Sequence, residues 1–382
     1  MRYYILAGEA SGDLHGSNLI TALKRLDARA DIRCWGGDKM EAAGATLVKH
    51  YRDLAFMGFI EVIKNLRTIF KNLAFCKEDI LEYQPDTLIL IDYPGFNLRI
   101  ADWARKEGFK IIFYISPQVW AWKESRVKAI KKNVDKMLVI LPFEKDFYKK
   151  WDFDVEYVGH PLVQVIEEFK ATHQGAAFKD VITASVTEGG NGKLIALLPG
   201  SRKQEILKKL PYMLEVSRNF PAWHFVVAKA PGIEDSFYDE LLAPYSNVSR
   251  VVNKTYHLLN EASAALVTSG TATLETALFG VPEVVCYKGS SISYQIAKRL
   301  IKIRFISLVN LIMDREVVKE LIQDDLTVAN ITTELTAILF DAGKKEQLRR
   351  DYHDLKALLS LGGNASANAA ESVYRFTSSL SR

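Results

Sequence analysis

An α/β fold in which a doubly wound parallel sheet occurs twice is predicted by three observations. Short apolar runs alternate with longer helical patterns along the whole chain. The pattern pauses over a glycine-rich stretch near the middle and then restarts. The 382 residues also exceed the roughly 250–300 at which a single hydrophobic core stops growing. Continuous apolar runs, rather than alternating ones, mark parallel strands covered by helices on both faces. Two such domains facing one another across a central cleft are the expected architecture.

The elements follow in order. In the first half, residues 3–7, 87–91, 111–115 and 137–141 read as buried strands, each bounded by polar or turn residues. Helical patterns at 19–26 and 100–107 lie between them. The second half repeats the theme with 194–198, 225–228, 264–268 and 283–287. The seam is 171–193, which carries Gly175, Gly189, Gly190 and Gly192, several Thr and Ser, and no sustained periodicity. After Asp341 the chain reads as helical to its end, with a break at Gly362-Gly363-Asn364. The expected division is therefore 1–170, a linker 171–193, a second domain 194–340, and C-terminal helices 341–382 free to pack back on the N-terminal domain.

With 48% hydrophobic and 25% charged residues the chain has the composition of an ordinary globular protein, and disorder is excluded for most of it. Its 50 Lys+Arg against 46 Asp+Glu give a mild net charge of +4. No basic tail or Arg-rich block accompanies that charge, so nucleic acid is not an expected partner. Cys34, Cys76 and Cys286 are far apart and form no CxxC pair, and the seven histidines are scattered. Neither a disulfide framework nor a metal site is indicated, and a reducing compartment fits best. No apolar run approaches the ~18 residues that cross a bilayer. The N-terminus reads as a first strand rather than a signal peptide, so the expectation is a soluble or peripheral protein.

Candidate chemistry gathers at strand ends. The first loop, Gly8-Glu9-Ala10-Ser11-Gly12-Asp13-Leu14-His15-Gly16, joins a strand to a helix. Glycines let a backbone approach a ligand and a helix N-terminus favours an anion. A tight turn in which Ser11 or Asp13 caps the helix accounts for the same residues; Glu9 and His15 at the same strand end favour a site. Asp92 follows the run 87–91 and precedes Tyr93-Pro94-Gly95-Phe96-Asn97. That puts a carboxylate at the carboxyl end of a central strand, where ligands bind in open α/β sheets. A base there takes a proton from a substrate hydroxyl, typically worth ~10²–10⁴-fold in rate; a plain turn-capping Asp is the alternative. Trp120 and Trp122, in Ser116-Pro117-Gln118-Val119-Trp120-Ala121-Trp122-Lys123, suit stacking on a sugar or holding an acyl chain, and equally suit anchoring in the core.

In the second half, Leu198-Pro199-Gly200-Ser201-Arg202 closes a strand. Arg202 after small residues suits a phosphate, because its planar guanidinium makes bidentate contacts. The matching element is Thr268-Ser269-Gly270-Thr271-Ala272-Thr273-Leu274-Glu275. There Gly270 and Thr271 open a helix whose backbone N–H groups point at a docked anion. Glu275, one turn on, can accept both hydroxyls of a ribose, and such charge-assisted bonds contribute roughly 1.5–3 kcal/mol. A capping box with Glu275 as its reciprocal partner is the plainer account of the same residues.

Phe59, Val62, Ile63, Leu66, Ile69, Phe70 and Leu73 fall on one face of a helix, with Lys64, Arg67 and Lys71 on the other. An ordinary helix packed on its sheet has this pattern. The bulk of Phe56, Met57, Phe59 and Phe70 beside basic residues suggests instead an interfacial helix, each nearby cation adding ~1 kcal/mol on an anionic membrane. Lys123, Arg126, Lys128, Lys131 and Lys132 form a second basic cluster. Several chemistries are excluded: there is no GxSxG, no HExxH and no GxGxxG, and Gly192-Lys193 is followed by Leu194, so it is no phosphate-binding P-loop.

Taken together these residues resemble the lipid-A-disaccharide synthases, bacterial glycosyltransferases of the GT-B fold. The likeness begins at Ala7-Gly8-Glu9-Ala10-Ser11-Gly12-Asp13 and runs to about Asp325. It passes through Ile91-Asp92-Tyr93-Pro94-Gly95-Phe96-Asn97, residues 116–122, Pro142-Phe143-Glu144, Gly159-His160-Pro161, residues 198–202, residues 269–275 and Ser307-Leu308-Val309-Asn310-Leu311. The motifs are individually weak, but their order is highly specific. The resemblance implies two Rossmann-like domains, a UDP-2,3-diacylglucosamine donor and a 2,3-diacylglucosamine 1-phosphate acceptor. The two would be joined by a β-1,6 linkage with inversion and release of UDP, without a metal or other cofactor.

By the same match Asp92 is the general base, Glu9 and Asn310 belong to the active site, and Arg202, Gly270, Thr271 and Glu275 to the UDP side. Phe59, Ile63, Leu66, Phe70, Trp120 and Trp122 are assigned to the acylated acceptor or the membrane. The implied location is cytoplasmic, on the anionic inner face of the inner membrane; a homodimer is left open. Gly95 stands where some members carry a second acidic residue, so Asp92 is the sole acid of its turn. Another sugar-nucleotide enzyme of the same fold, an epimerase or a transferase with a non-acylated acceptor, is the alternative.

Overall fold

The structure is a computed structural model that describes residues 1–54, 66–122, 124–173, 193–289 and 303–380; for Leu54, Leu66 and Trp122 it describes the backbone alone. The chain divides into two compact units, Met1–Pro161 with Leu359–Arg382, and Leu162–Leu358. The first unit thus ends at 161 rather than 170. The C-terminal helices are shared, helix Ala342–Ser360 falling mostly in the second unit and helix Ala365–Leu380 in the first.

The first unit is a seven-stranded parallel sheet of β1 (Arg2–Ala7), β2 (Asp31–Gly36), β3 (Thr46–His50), β4 (Thr87–Ile91), β5 (Ile111–Tyr114), β6 (Lys136–Val139) and β7 (Glu156–Tyr157), in the order β3-β2-β1-β4-β5-β6-β7. Every side chain of β4 is buried because helices cover both faces. Tyr4, Leu6, Leu88, Leu90 and Phe113 enter one core, while Tyr3, Ile5, Ile89, Ile91 and Ile112 enter the other. This period of two explains why the run looks uniformly apolar in sequence. Strand β5 ends one residue before the expected position because Ile115 turns to φ 67°.

Helix Ala365–Leu380 closes the unit. It packs on helix Ala10–Leu26, and Asn368 Nδ2 donates to the Val158 carbonyl at 3.1 Å. Where the chain returns, the backbones of Gly159 and Gly362 touch: a Cβ on Gly362 would lie 2.4 Å from the Cα and N of Gly159.

The second unit is a six-stranded parallel sheet of β8 (Leu194–Leu198), β9 (His224–Lys229), β10 (Val248–Val252), β11 (Ala264–Thr268), β12 (Glu283–Tyr287) and β13 (Lys319–Ile322), in the order β10-β9-β8-β11-β12-β13. Both sheets are doubly wound. In each, strand order reverses between two neighbours, β1 and β4 in the first and β8 and β11 in the second. The connections leave in opposite directions there, the place where open α/β sheets bind their ligands.

Candidate active site

Strands β1 and β4 pair in parallel, so Gly8-Glu9 and Asp92-Tyr93 leave the sheet side by side at the first switch point. Asp92 and Tyr93 take left-handed conformations, φ 43° and 48°, each costing a non-glycine residue about 1 kcal/mol or more. Asn97 holds this turn, its Nδ2 donating to the carbonyls of Asp92 at 2.7 Å and Ile91 at 3.1 Å. Gly8 is required by the same turn: a Cβ there would fall 2.3 Å from the Tyr93 ring. Asp13 caps a different helix from the one it opens. Its carboxylate accepts from the backbone N–H of Gly37, Lys39 and Met40, fixing the start of helix Asp38–Ala42.

Burial, and then the charge of Glu9, push the Asp92 carboxyl up to about 6, against a lowering contribution from the Tyr93 backbone N–H. The second carboxylate near Asp92 therefore comes from the neighbouring strand end rather than from its own turn. His15 and His160 lie near one another in the same unit. Burial and Lys39 lower His15 to about 4, and burial and His15 lower His160 to about 3. Both rings are neutral at cellular pH. Trp120 is buried, edge-on to Phe143 at 5.0 Å between centroids. Glu144 is buried in the same region and accepts from the Leu141 N–H at 3.0 Å; burial raises its carboxyl to about 7.

At the second switch point a cavity of about 330 Å³ is lined by Gly200, Ser201, Glu205, Thr268, Gly270, Thr271 and Glu275, among others. Gly200 and Gly270 adopt φ 115° and 142°, conformations that only glycine takes without strain. Gly270 also precedes helix Thr271–Phe279, whose amino-terminal end opens on the cavity with its favourable dipole. Glu275 accepts a hydrogen bond from the Tyr256 hydroxyl at 2.9 Å, and burial raises its pKa. Arg202 caps helix Lys203–Ser217 next to Ser201 and pairs with Glu205 at 3.3 Å.

Asn310 lies on helix Leu308–Met313. It is fully buried. Its Nδ2 donates to the Val318 carbonyl and Glu320, and its Oδ1 accepts from the N–H groups of Val317 and Val318. Its carboxamide is thus occupied by bonds within the fold. Glu320 also accepts from Ile306 N and Ser307 N, and Ser269 Oγ donates to the Ile306 carbonyl at 2.7 Å. This network ties residues 306–320 to the cavity wall.

Sequence reading missed Tyr256, Glu320 and Lys209. Lys209 left a signal, a cation on the apolar face that carries Ile206, Leu210 and Met213. Of the acyl or membrane candidates, Phe70 is 61% exposed. Phe59 and Ile63 lie outside the described residues, as do the side chains of Leu66 and Trp122. Among the described residues no helix is long and apolar enough to cross a membrane.

The family model for lipid-A-disaccharide synthetase matches residues 3–373. The chain belongs to this family. Curated relatives named lipid-A-disaccharide synthase include those of Trichlorobacter lovleyi, 37% identical with 95% of this chain and 94% of the relative covered, and of Coxiella burnetii, 34% identical with 97% of each covered. Among solved structures, UDP-GlcNAc 2-epimerase from Neisseria meningitidis bound to UDP-GlcNAc is similar at TM-score 0.69 and 11% identity, over 99% of this chain and 100% of that one. The calicheamicin glycosyltransferase CalG4 is similar at 0.60 and 17%, over 100% and 99%. These two likenesses agree on the fold, two parallel-sheet α/β domains of the GT-B kind, and the family is one of glycosyltransferases.

Proposed function

We propose that this chain transfers the 2,3-diacylglucosaminyl group of UDP-2,3-diacylglucosamine to 2,3-diacylglucosamine 1-phosphate. The products are the β-1,6-linked lipid A disaccharide 1-phosphate and UDP. The observation that carries the reading is the Asp92 turn, a strained, amide-braced carboxylate at the switch point of the first unit, within a chain that matches the family over residues 3–373. Asp92 accepts the proton of the acceptor's hydroxyl as that oxygen bonds to the donor's anomeric carbon and the bond from that carbon to the diphosphate oxygen breaks. A carboxyl near pKa 6 is ionised at neutral pH yet more basic than an ordinary aspartate, which suits a general base. Burial supplies most of that basicity and repulsion by Glu9 adds to it.

In the second unit the Gly270 helix end and Arg202 stabilise the departing UDP, whose negative charge grows in the transition state. Glu275 takes the ribose. Diacylated substrates require access to a lipid surface. Phe70, exposed beside the exposed cations Arg67 and Lys71 on helix Leu66–Tyr83, supports peripheral binding to the anionic cytoplasmic face of the inner membrane.

The test is UDP release from UDP-2,3-diacylglucosamine, with and without 2,3-diacylglucosamine 1-phosphate, in detergent and EDTA. Acceptor-dependent release with a disaccharide seen by mass spectrometry is expected. Release without disaccharide, or none at all, overturns the assignment and moves the weight to another sugar-nucleotide reaction.

A further inference from the structure

Lys209 is 3% exposed on a helix face otherwise made of Ile206, Leu210, Met213 and Leu214. Burying an ammonium is costly unless it is paired and hydrogen-bonded, and packing alone would be served by methionine or leucine. The Lys209 Nζ donates to Thr268 Oγ1 and lies 3.6 Å from where a Cβ on Gly200 would stand. Thr268 and Gly200 both line the cavity, one from each strand of the switch point. The ammonium therefore sits one layer beneath the cavity wall, bridging the ends of β8 and β11.

The charged groups that act on it are Glu205 and Lys208. Glu205 approaches the same position on Gly200, at 3.1 Å through Oε2, while its Oε1 pairs with Arg202. Lys208 adds a further cation, and the nearby Cys286 thiol, raised to about 12 by burial, is neutral. Glu205 thus pairs with Arg202 and also acts electrostatically on Lys209.

We propose that Lys209 is a positioning residue for the diphosphate of a nucleotide donor: it clamps Thr268 against the Gly200 turn and adds a fixed positive potential to the anion subsite completed by the helix end at Gly270. This rests on reading the cavity as the UDP site. Burial lowers the Lys209 pKa, which fits an ammonium desolvated for this purpose. At an effective dielectric near 20, a charge about 6–12 Å behind an anion changes its affinity on the order of 100- to 10-fold.

The experiment is calorimetric titration of the full chain with UDP and with uridine, for the wild type, Lys209→Met and Thr268→Val. The expected result is a UDP Kd weakened about 10-fold or more by Lys209→Met with the uridine Kd unchanged, and a smaller selective loss for Thr268→Val, which removes the acceptor and keeps the charge. Equal weakening of UDP and uridine assigns Lys209 to packing and overturns the proposal, as does an unchanged UDP Kd. If Lys209→Met does not fold, Thr268→Val decides alone, and an unchanged ratio of the two affinities overturns the clamp. Failure of the wild type to bind UDP strikes the donor-site reading itself.

Discussion

Asp92→Asn should make the protein more stable and inactive at once. A carboxyl whose pKa rises from 3.8 to about 6 on folding destabilises the native state by about 3 kcal/mol once it is fully ionised. Asp92 is partly exposed, so solvent screening reduces the expected figure to about 1–2 kcal/mol. The sign is that of an acid with a raised folded pKa. The native state holds the proton more tightly, so its relative stability is complete below pH 3.8 and lost as pH climbs through about 6. Asparagine carries no charge, can still accept the Tyr93 N–H, and tolerates the left-handed backbone at φ 43°.

The variant should therefore gain on the wild type between pH 4 and 6 and keep a constant lead above. That lead corresponds to about 2–4 °C in Tm per kcal/mol for a unit of this size. Scanning calorimetry of both proteins from pH 4.5 to 8 measures it, alongside turnover, which should fall ~10²–10⁴-fold. A variant that melts below the wild type at pH 8, or a difference independent of pH, would refute the view that this carboxylate is held under strain.

Four other outcomes are expected. Gly362→Ala should cost about 3 kcal/mol, the upper range for overpacking, because its methyl meets the Gly159 backbone at 2.4 Å; Gly95→Ala, with nothing within 4 Å, is the neutral control in the same urea titration. Asn310→Ala should lower the melting temperature sharply, since it strands the N–H groups of Val317 and Val318 at about 1–3 kcal/mol each. Unchanged melting with lost turnover would return Asn310 to the reacting atoms. Glu275→Gln should weaken UDP binding about tenfold, in line with a charge-assisted bond, and leave 2′-deoxy-UDP nearly unaffected; equal losses would remove the ribose contact. Phe70→Ser should reduce sedimentation with anionic liposomes but not with neutral ones, and unchanged sedimentation would put the membrane contact elsewhere.

What the chain discloses before folding follows from where its residues end up. Residues 87–91 and 264–268 were legible as strands because both faces are buried, leaving no polar residue to break the run. The edge strands β3 and β13 were not. Thr46-Leu47-Val48-Lys49-His50 and Lys319-Glu320-Leu321-Ile322 are partly exposed and carry charges that read as loop. Asp92 stood out because it directly follows an apolar run, and Gly270 because it comes two positions after one.

Their partners did not stand out. Glu9 acts on Asp92 only because β1 lies beside β4. Gly8 is a glycine because of a tyrosine that lies 85 positions further along in the chain numbering. Asn310 reads as a polar residue of a reactive motif, and only the return of Val317 and Val318 to its carboxamide shows it to be a brace. A switch point is built from two strands that are neighbours in the sheet and distant in the chain. Reading along the sequence therefore finds each half of such a site separately, and the energetics that tune it, such as the repulsion between two carboxylates, arise only when the halves meet.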